Sequence, residues 1–329
     1  MLTGIMPQLS LFEEEMPTGR KVLPAPVDDS LCQTADKMPA AIRLGTSSWS
    51  FPGWKGILYD RGGTSQLLAR HGLWAYAKHP LLAAAGIDRT FYAPITADDF
   101  AAYAADVGDD FRFLVKAHEY CTVAHFPSHQ RYGERAGQDN PHFLDADYAE
   151  EFVVRPYRQG LGEKAGVLLF QFSPMDVGRV GGRRAFCQRL LRFLQALPSD
   201  LTCAVELRNR ELFHDSYLKT LEETGTAHCL NIHPSMPPVT RQAEMSKHLG
   251  GPTVIRWMLH AGLTYESAGQ RYHPYGTLVD ADLRTRSAVA NICRWAARCG
   301  RQVYVIANNK AEGCAPLTLF RLAEAIVGS

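Results

Sequence analysis

A closed parallel barrel of the TIM type, (β/α)8, preceded by a flexible N-terminal tail, is the fold class this sequence predicts, on three observations. Eight short β-rich runs recur after residue 41, each followed by a stretch with helical spacing of apolar residues. Parallel strands need crossover connections, and the alternating helices supply them. The part from residue 42 onward is long enough for a barrel of ~250 residues with insertions. An open doubly wound sheet is the rival, and its signatures are missing. Gly45-Thr46-Ser47-Ser48-Trp49 follows the first strand where G-x-G-x-x-G would stand, and no P-loop occurs anywhere.

Residues 1–41 contain five prolines, no periodic apolar face, and three basic against six acidic residues. Such a segment buries too little to offset its ordering entropy, so a disordered tail is expected there and a barrel over 42–329. Strand runs rich in Val, Ile, Leu and Phe follow at 42–46, 87–92, 111–117, 166–172, 201–207, 227–232, 253–258 and 302–307. Helical spacing fills 67–82, 97–106, 148–161, 183–197, 216–223, 283–298 and 317–326. Before the seventh strand only 241–249 reads as helix.

Composition narrows the function classes. Of the 329 residues 46% are apolar, enough for a large core, and 35 Lys plus Arg balance 34 Asp plus Glu. That balance argues against a protein that coats nucleic acid electrostatically. Apolar stretches such as 81–85 fall far short of the roughly 20 residues of a membrane span. Glu13, Glu14 and Glu15 near the start, with no apolar h-region, do not make a secretory signal. The expectation is a cytoplasmic protein without membrane attachment. Eight cysteines form no C-x-x-C pair and sit mostly in apolar runs, as buried thiols of a reducing compartment do.

Chemistry in such a barrel lies where the strands end. The first strand runs into Ser47-Ser48-Trp49-Ser50-Phe51-Pro52-Gly53-Trp54, whose aromatics either stack on a ligand or form a lid over the mouth. A nucleophile elbow would need glycine where Trp49 stands, which rules out that serine hydrolase motif. Residues two apart on a strand share a face, so Lys116 projects with His118 and Glu206 with Arg208. A carboxylate beside a guanidinium is either a structural ion pair or an acid/base group held in one ionisation state. Arg256 on the seventh strand and Asn308-Asn309-Lys310 after the eighth complete a mouth richer in cations than in acids, which suits a phosphate or carboxylate. The long segment after the third strand holds His118, Glu119, His125, His129 and His142. Pro127 separates the H-x-x-x-H pair, so no helix presents it as a zinc site and no metal is expected. Structureless insertions of such length are usually functional covers.

Set side by side, these strand ends resemble the YecE-like proteins, the domain-of-unknown-function 72 family. The likeness is carried by Leu44-Gly45-Thr46-Ser47-Ser48-Trp49-Ser50 with Gly53-Trp54, by Thr90-Phe91-Tyr92 with Pro94, and by Phe111-Arg112-Phe113 with Val115-Lys116-Ala117. It continues through Leu161-Gly162-Glu163-Lys164, Leu168-Leu169-Phe170-Gln171-Phe172, Val205-Glu206-Leu207-Arg208-Asn209 and Val303-Tyr304-Val305 with Asn308-Asn309. The resemblance implies a TIM-type barrel and no particular activity. Gly86 replaces a common glutamate, Asp88-Arg89 replaces Asn-Ser, and a histidine that often follows the seventh-strand arginine is lost near Met258.

In the tail, Gln8-Leu9-Ser10-Leu11-Phe12 resembles the peptide by which bacterial replication and repair proteins dock on the sliding clamp. Gln8, Leu9, Leu11 and Phe12 are its expected partner-binding residues. The expectation for the barrel is a mouth pocket for a small anionic or nucleotide-like ligand, with Glu206 and Lys116 as catalytic candidates. Arg208, Arg256, Asn308, Asn309, Trp49, Tyr92 and His118 are the ligand-binding candidates. Two other readings stand beside it: a DNA-maintenance factor tethered to the clamp, and a non-catalytic binding barrel. No cofactor is named by the sequence.

Overall fold

In a computed structural model, which describes residues 21–328, the strands close into a barrel in sequence order. They are β1 (Ile42–Thr46), β2 (Leu82–Ile87), β3 (Arg112–Lys116), β4 (Ala165–Phe172), β5 (Cys203–Leu207), β6 (Ala227–Ile232), β7 (Thr253–Trp257) and β8 (Val303–Ala307). All neighbours are parallel, and the ring is closed by β1 on β8, with Ile42 opposite Val303 and Thr46 opposite Ala307. Helices cover the outside, the longest being Gly182–Ala196, Leu283–Arg298 and Ala315–Val327. Their buried faces and the outward strand residues form one continuous core.

Inside the barrel, period-two alternation builds a second apolar core from Ala84, Leu114, Val167, Leu169, Ala204, Ala227, Cys229, Val254, Tyr304 and Ile306. Two residues further on, the same inward rows turn polar: Leu114 is followed by Lys116, Leu169 by Gln171, Ala204 by Glu206, Cys229 by Asn231, and Val254 by Arg256. The C-terminal mouth is thus a buried polar layer resting on a dry one.

Two expectations need correction. The second strand is Leu82–Ile87, not 87–92, and Arg89–Phe91 is a short 3-10 turn. Leu82-Ala83-Ala84-Ala85-Gly86 continues the helical spacing of the preceding segment, so the sequence hides the strand. The barrel needs those small residues for close approach. A Cβ on Gly45 would lie 2.2 Å from the Ala84 carbonyl oxygen, and one on Gly86 3.0 Å from Ser47 Cα. Nor is the stretch up to residue 41 structureless throughout. Val22 and Ala25 are buried, Ala25 N–H donates to Leu58 O, Asp60 N–H donates to Leu23 O, and Asp29–Asp36 is a helix. Leu31, Ala35 and Met38 pack on the main core. Isolated apolar residues among prolines carry no period, yet each finds a place on a core made by the rest of the chain. The expected peptide Gln8–Phe12 lies outside the described residues.

Between β3 and the helices before β4, residues 117–145 fold into an ordered cover. Asn140 Nδ2 donates to Tyr120 O at 2.8 Å and Val123 O at 2.7 Å, and buried Glu119 accepts from Arg131 and from Tyr132 Oη. Phe91 from the β2 loop joins Val123, Phe126 and Tyr132 in a small core beneath it. All eight cysteines are free thiols. Among the described residues no helix is long and apolar enough to cross a membrane.

Candidate functional site at the barrel mouth

Lys116, Glu206 and Arg256 are placed by strands β3, β5 and β7, and Arg208 follows Glu206 on the same inward row. Glu206 is fully buried, and both oxygens are occupied. Arg208 Nε donates to Oε1 at 2.7 Å and Arg256 Nη1 to Oε2 at 2.7 Å. Arg256 Nη2 continues to Asp88, at 2.9 and 3.2 Å from its two oxygens. Arg208 Nη1 donates to Tyr265 Oη at 3.1 Å. The result is a chain of alternating charge, Asp88, Arg256, Glu206, Arg208, that ends on a tyrosine.

Burial alone would raise the Glu206 pKa, but Arg208, Arg256 and Lys116 overcome it and hold the carboxyl at about 2. A carboxylate so held and so fully engaged neither donates nor takes a proton near neutral pH. Of the two roles open to Glu206, the geometry favours the ion pair. Burial would likewise lower Arg256, and Asp88 with Glu206 raises it instead.

Lys116 is in the opposite situation. It is buried, and among the described residues its Nζ has no carboxylate within 4.0 Å. The ammonium sits 3.5 Å from the centroid of the Phe91 ring. Burial, opposed by Asp88 and reinforced by Arg256, lowers its pKa to about 8. The cover on which Phe91 packs therefore helps to set the state of the amine.

The other candidates divide. His118 is buried, shares a 2.7 Å hydrogen bond between Nδ1 and Tyr148 Oη, and stacks on Tyr120. Burial, with Arg135 adding to it, pulls its pKa down to about 4, so the ring is neutral at physiological pH. Asn308 Nδ2 donates to Ser47 Oγ at 3.0 Å. Asn309 is turned away into the structure, its Oδ1 accepting from Trp54 Nε1 at 3.2 Å and Ala315 N–H at 2.8 Å. Of the two alternatives for the β1 loop, the lid prevails for Trp54, which is fully buried. Trp49 packs edge to face on Tyr103 at 5.1 Å and donates to Ala69 O. With Ser47, Asp88, Arg89 and Tyr103 it also lines a cavity of about 510 Å³ that runs out between Ala69 and Ala102, and of the charge cluster only Asp88 borders it. Tyr92 is 63% exposed, with Arg131 5.0 Å over its ring. His118, His125 and His142 hydrogen-bond to separate partners, and among the described residues no group of metal-ligand type assembles.

Sequence reasoning missed Asp88 and Tyr265 as members of the cluster. Asp88 did leave a trace, as an acid where the family pattern has asparagine. Tyr265 opens the helix Tyr265–Tyr272 beyond β7 and left none.

A closed eight-stranded parallel barrel with its ionisable side chains gathered at the C-terminal mouth places the molecule among the TIM-type α/β barrel proteins. Within that class the chain belongs to the family described as Protein of unknown function DUF72, whose model matches residues 43–328. The UPF0759 protein YunF of Bacillus subtilis (strain 168) is 28% identical over 188 residues, which is 54% of this chain and 60% of that protein. The chain thus matches less than two thirds of that relative's length. Solved DUF72 family proteins share the fold. One from Thermotoga maritima superposes with a TM-score of 0.59 at 18% identity, covering 86% of this chain and 98% of that one. One from Enterococcus faecalis gives 0.58 at 19% identity, covering 87% and 95%.

Proposed function

We propose that the barrel mouth is an enzyme site for a small anionic or nucleotide-like ligand, with Lys116 as the group that meets the ligand. One observation carries this reading. Lys116 is a buried amine without a carboxylate partner among the described residues, while the two nearby carboxylates are already taken by arginines. An unpaired buried ammonium is costly, and an anion arriving at Nζ relieves it. Arg208, at the Tyr265 end of the chain of charges, lies in the same buried layer, and half-buried Asn308 is held by Ser47 at the rim. Glu206, Asp88 and Arg256 act as positioning residues. The lowered pKa also suits Lys116 to proton transfer near neutral pH.

Calorimetric titration with sulfate, inorganic phosphate and adenosine monophosphate tests this. Saturable binding that disappears in Lys116→Met is the expected result. Absence of heat with all three, in a protein that is folded by circular dichroism, overturns it. A different reading, a DNA-maintenance barrel tethered to the sliding clamp, rests on the Gln8–Phe12 peptide. Binding of that peptide to the clamp is its test.

A further inference from the structure

We propose that the cleft between the cover and the loop after β4 binds a small organic acid, a carboxylate on a short aliphatic or aromatic body, at Arg189. This site is separate from the mouth: Lys116, Asp88, Glu206, Arg208 and Arg256 are not among the residues that line it.

The cleft is a cavity of about 440 Å³, within the ~300–1,000 Å³ of small-molecule pockets. The cover supplies one side, from Thr122 to Phe143, and the β4 loop with Arg189 of the helix Gly182–Ala196 supplies the other. Both sides are pinned. Asn140 fastens the cover through Tyr120 O and Val123 O, and Asn209 fastens the loop, its Oδ1 accepting from Met175 N–H and its Nδ2 donating to Met175 O, both at 2.9 Å. Such a cleft needs little ordering when a ligand enters. Val123, Phe143 and Val180 are buried apolar residues of its walls, so the body of the ligand meets hydrocarbon.

The polar side chains of the cleft that are short of a partner are donors. Thr122 is fully buried, and its Oγ1 has no hydrogen-bond partner among the described residues. Ser173 Oγ accepts from Gln171 Nε2 at 3.3 Å and keeps its own proton to give. Half-buried Arg189 donates from Nη2 to Phe143 O at 3.0 Å and lies 4.8 Å over the Phe143 ring. Among the described residues no carboxylate lies within 4.0 Å of it. A guanidinium carries five donors in a planar fork that matches a carboxylate, so one bond to a carbonyl leaves its charge and most of the fork to be met. The two acids that border the cleft are exposed and already engaged: Asp139 by His125 at 3.0 Å and Arg179 at 3.8 Å, Asp176 by Gly178 N–H at 2.9 Å. Two hydroxyl donors and an unmatched guanidinium among apolar walls select an oxyanion with a hydrocarbon body over a free phosphate or a cation.

Calorimetric titration of the full chain with benzoate and hexanoate, with benzamide as the neutral control, is the test. Both acids are expected to bind saturably, and benzamide about ten- to a hundredfold more weakly, the worth of a hydrogen bond to a charged group. Arg189→Gln keeps a donor for Phe143 O and removes the charge, so the acids should fall to the benzamide level. Thr122→Val removes a hydroxyl that pairs with nothing in the protein, so Tm should hold while benzoate affinity drops severalfold. No heat with either acid at high millimolar concentration, in a protein folded by circular dichroism, overturns the proposal. So does benzamide binding as tightly as benzoate, or acid binding that survives Arg189→Gln. Acid binding lost instead in Lys116→Met places the carboxylate at the mouth and overturns the cleft as its site. A Thr122→Val protein that loses stability and keeps its benzoate affinity overturns the part given to that hydroxyl.

Discussion

Arg256 reaches Asp88 across the barrel mouth, its Nη2 2.9 Å from Oδ2, and so joins β7 to the end of β2 over strands that are not neighbours in the sheet. The same guanidinium holds Glu206 of β5 through Nη1. One fully buried side chain therefore ties three separate sectors of the barrel, and the charge of each partner is matched only while all of them are present.

Glu206→Gln is expected to lower stability by roughly 3 kcal/mol or more, since breaking a buried pair from one side leaves charge uncompensated, here on Arg208 and Arg256. Urea denaturation of the variant against the parent measures it. A loss below about 1 kcal/mol, within the ordinary scatter of surface substitutions, would remove the framework role assigned to this carboxylate.

Deleting residues 1–38 is expected to destabilise the barrel. Among the residues removed, Val22 is buried, Leu31 and Met38 pack on the core, and the strand-like contact with Leu58 and Asp60 is lost. Burial of a Val-sized side chain alone contributes about 1.5 to 3 kcal/mol, so a fall of several degrees in Tm is expected. An unchanged Tm would mean that this stretch rests on the barrel without supporting it.

These two cases show what the sequence made legible. Period-two alternation placed Lys116 with His118 and Glu206 with Arg208 on shared faces, because a strand end fixes which face a side chain takes. It could not say that Arg256 would meet Glu206, 50 residues away, or Asp88, 168 residues away, since partnership depends on how strands close in space. Asn309 and Trp54 looked like mouth residues by position, but their hydrogen bond to each other turns both inward. The hidden β2 and the packed residues 21–41 share one cause: small or isolated side chains have no period, and tertiary contact alone decides their structure.

Stability should fall on acidification in two stages. His79, His118, His228 and His233 are each held at about 4 chiefly by burial, below the unfolded value of about 6.5. Between those values the unfolded chain binds more protons than the native one, so stability drops as pH falls from about 6.5 to about 4. Glu206, held at about 2 against burial by its arginines, extends the loss from roughly 4.5 down to 2 by the same sign. Tm measured across this range should decline monotonically, and a flat profile between pH 6.5 and 4 would contradict the burial of neutral histidines.

Sulfate, whose charge is constant over this range, should bind most tightly below pH 8 and weaken as pH rises through the Lys116 pKa of about 8. The direction follows because the ammonium, not the amine, attracts the anion. Lys116→Arg should move that decline beyond pH 10, since the guanidinium stays charged. Affinity independent of pH in the parent would place the anion elsewhere than Lys116.

A peptide spanning Pro7 to Glu15 is expected to bind the bacterial sliding clamp, and Leu11→Ala with Phe12→Ala to abolish it. The logic rests on Gln8-Leu9-Ser10-Leu11-Phe12 as a short extended segment offering a polar anchor and an adjacent pair of large apolar groups to a groove. Each buried apolar side chain contributes about 1.5 to 3 kcal/mol, and ordering the peptide offsets part of that, so the affinity should be on the order of micromolar. An affinity in that range suits a tether that has to release when other clamp clients compete. Competition against an established clamp peptide, followed by fluorescence anisotropy, gives the measurement. If the peptide displaces nothing at high micromolar concentration, the clamp reading falls and the mouth around Lys116 carries the function alone.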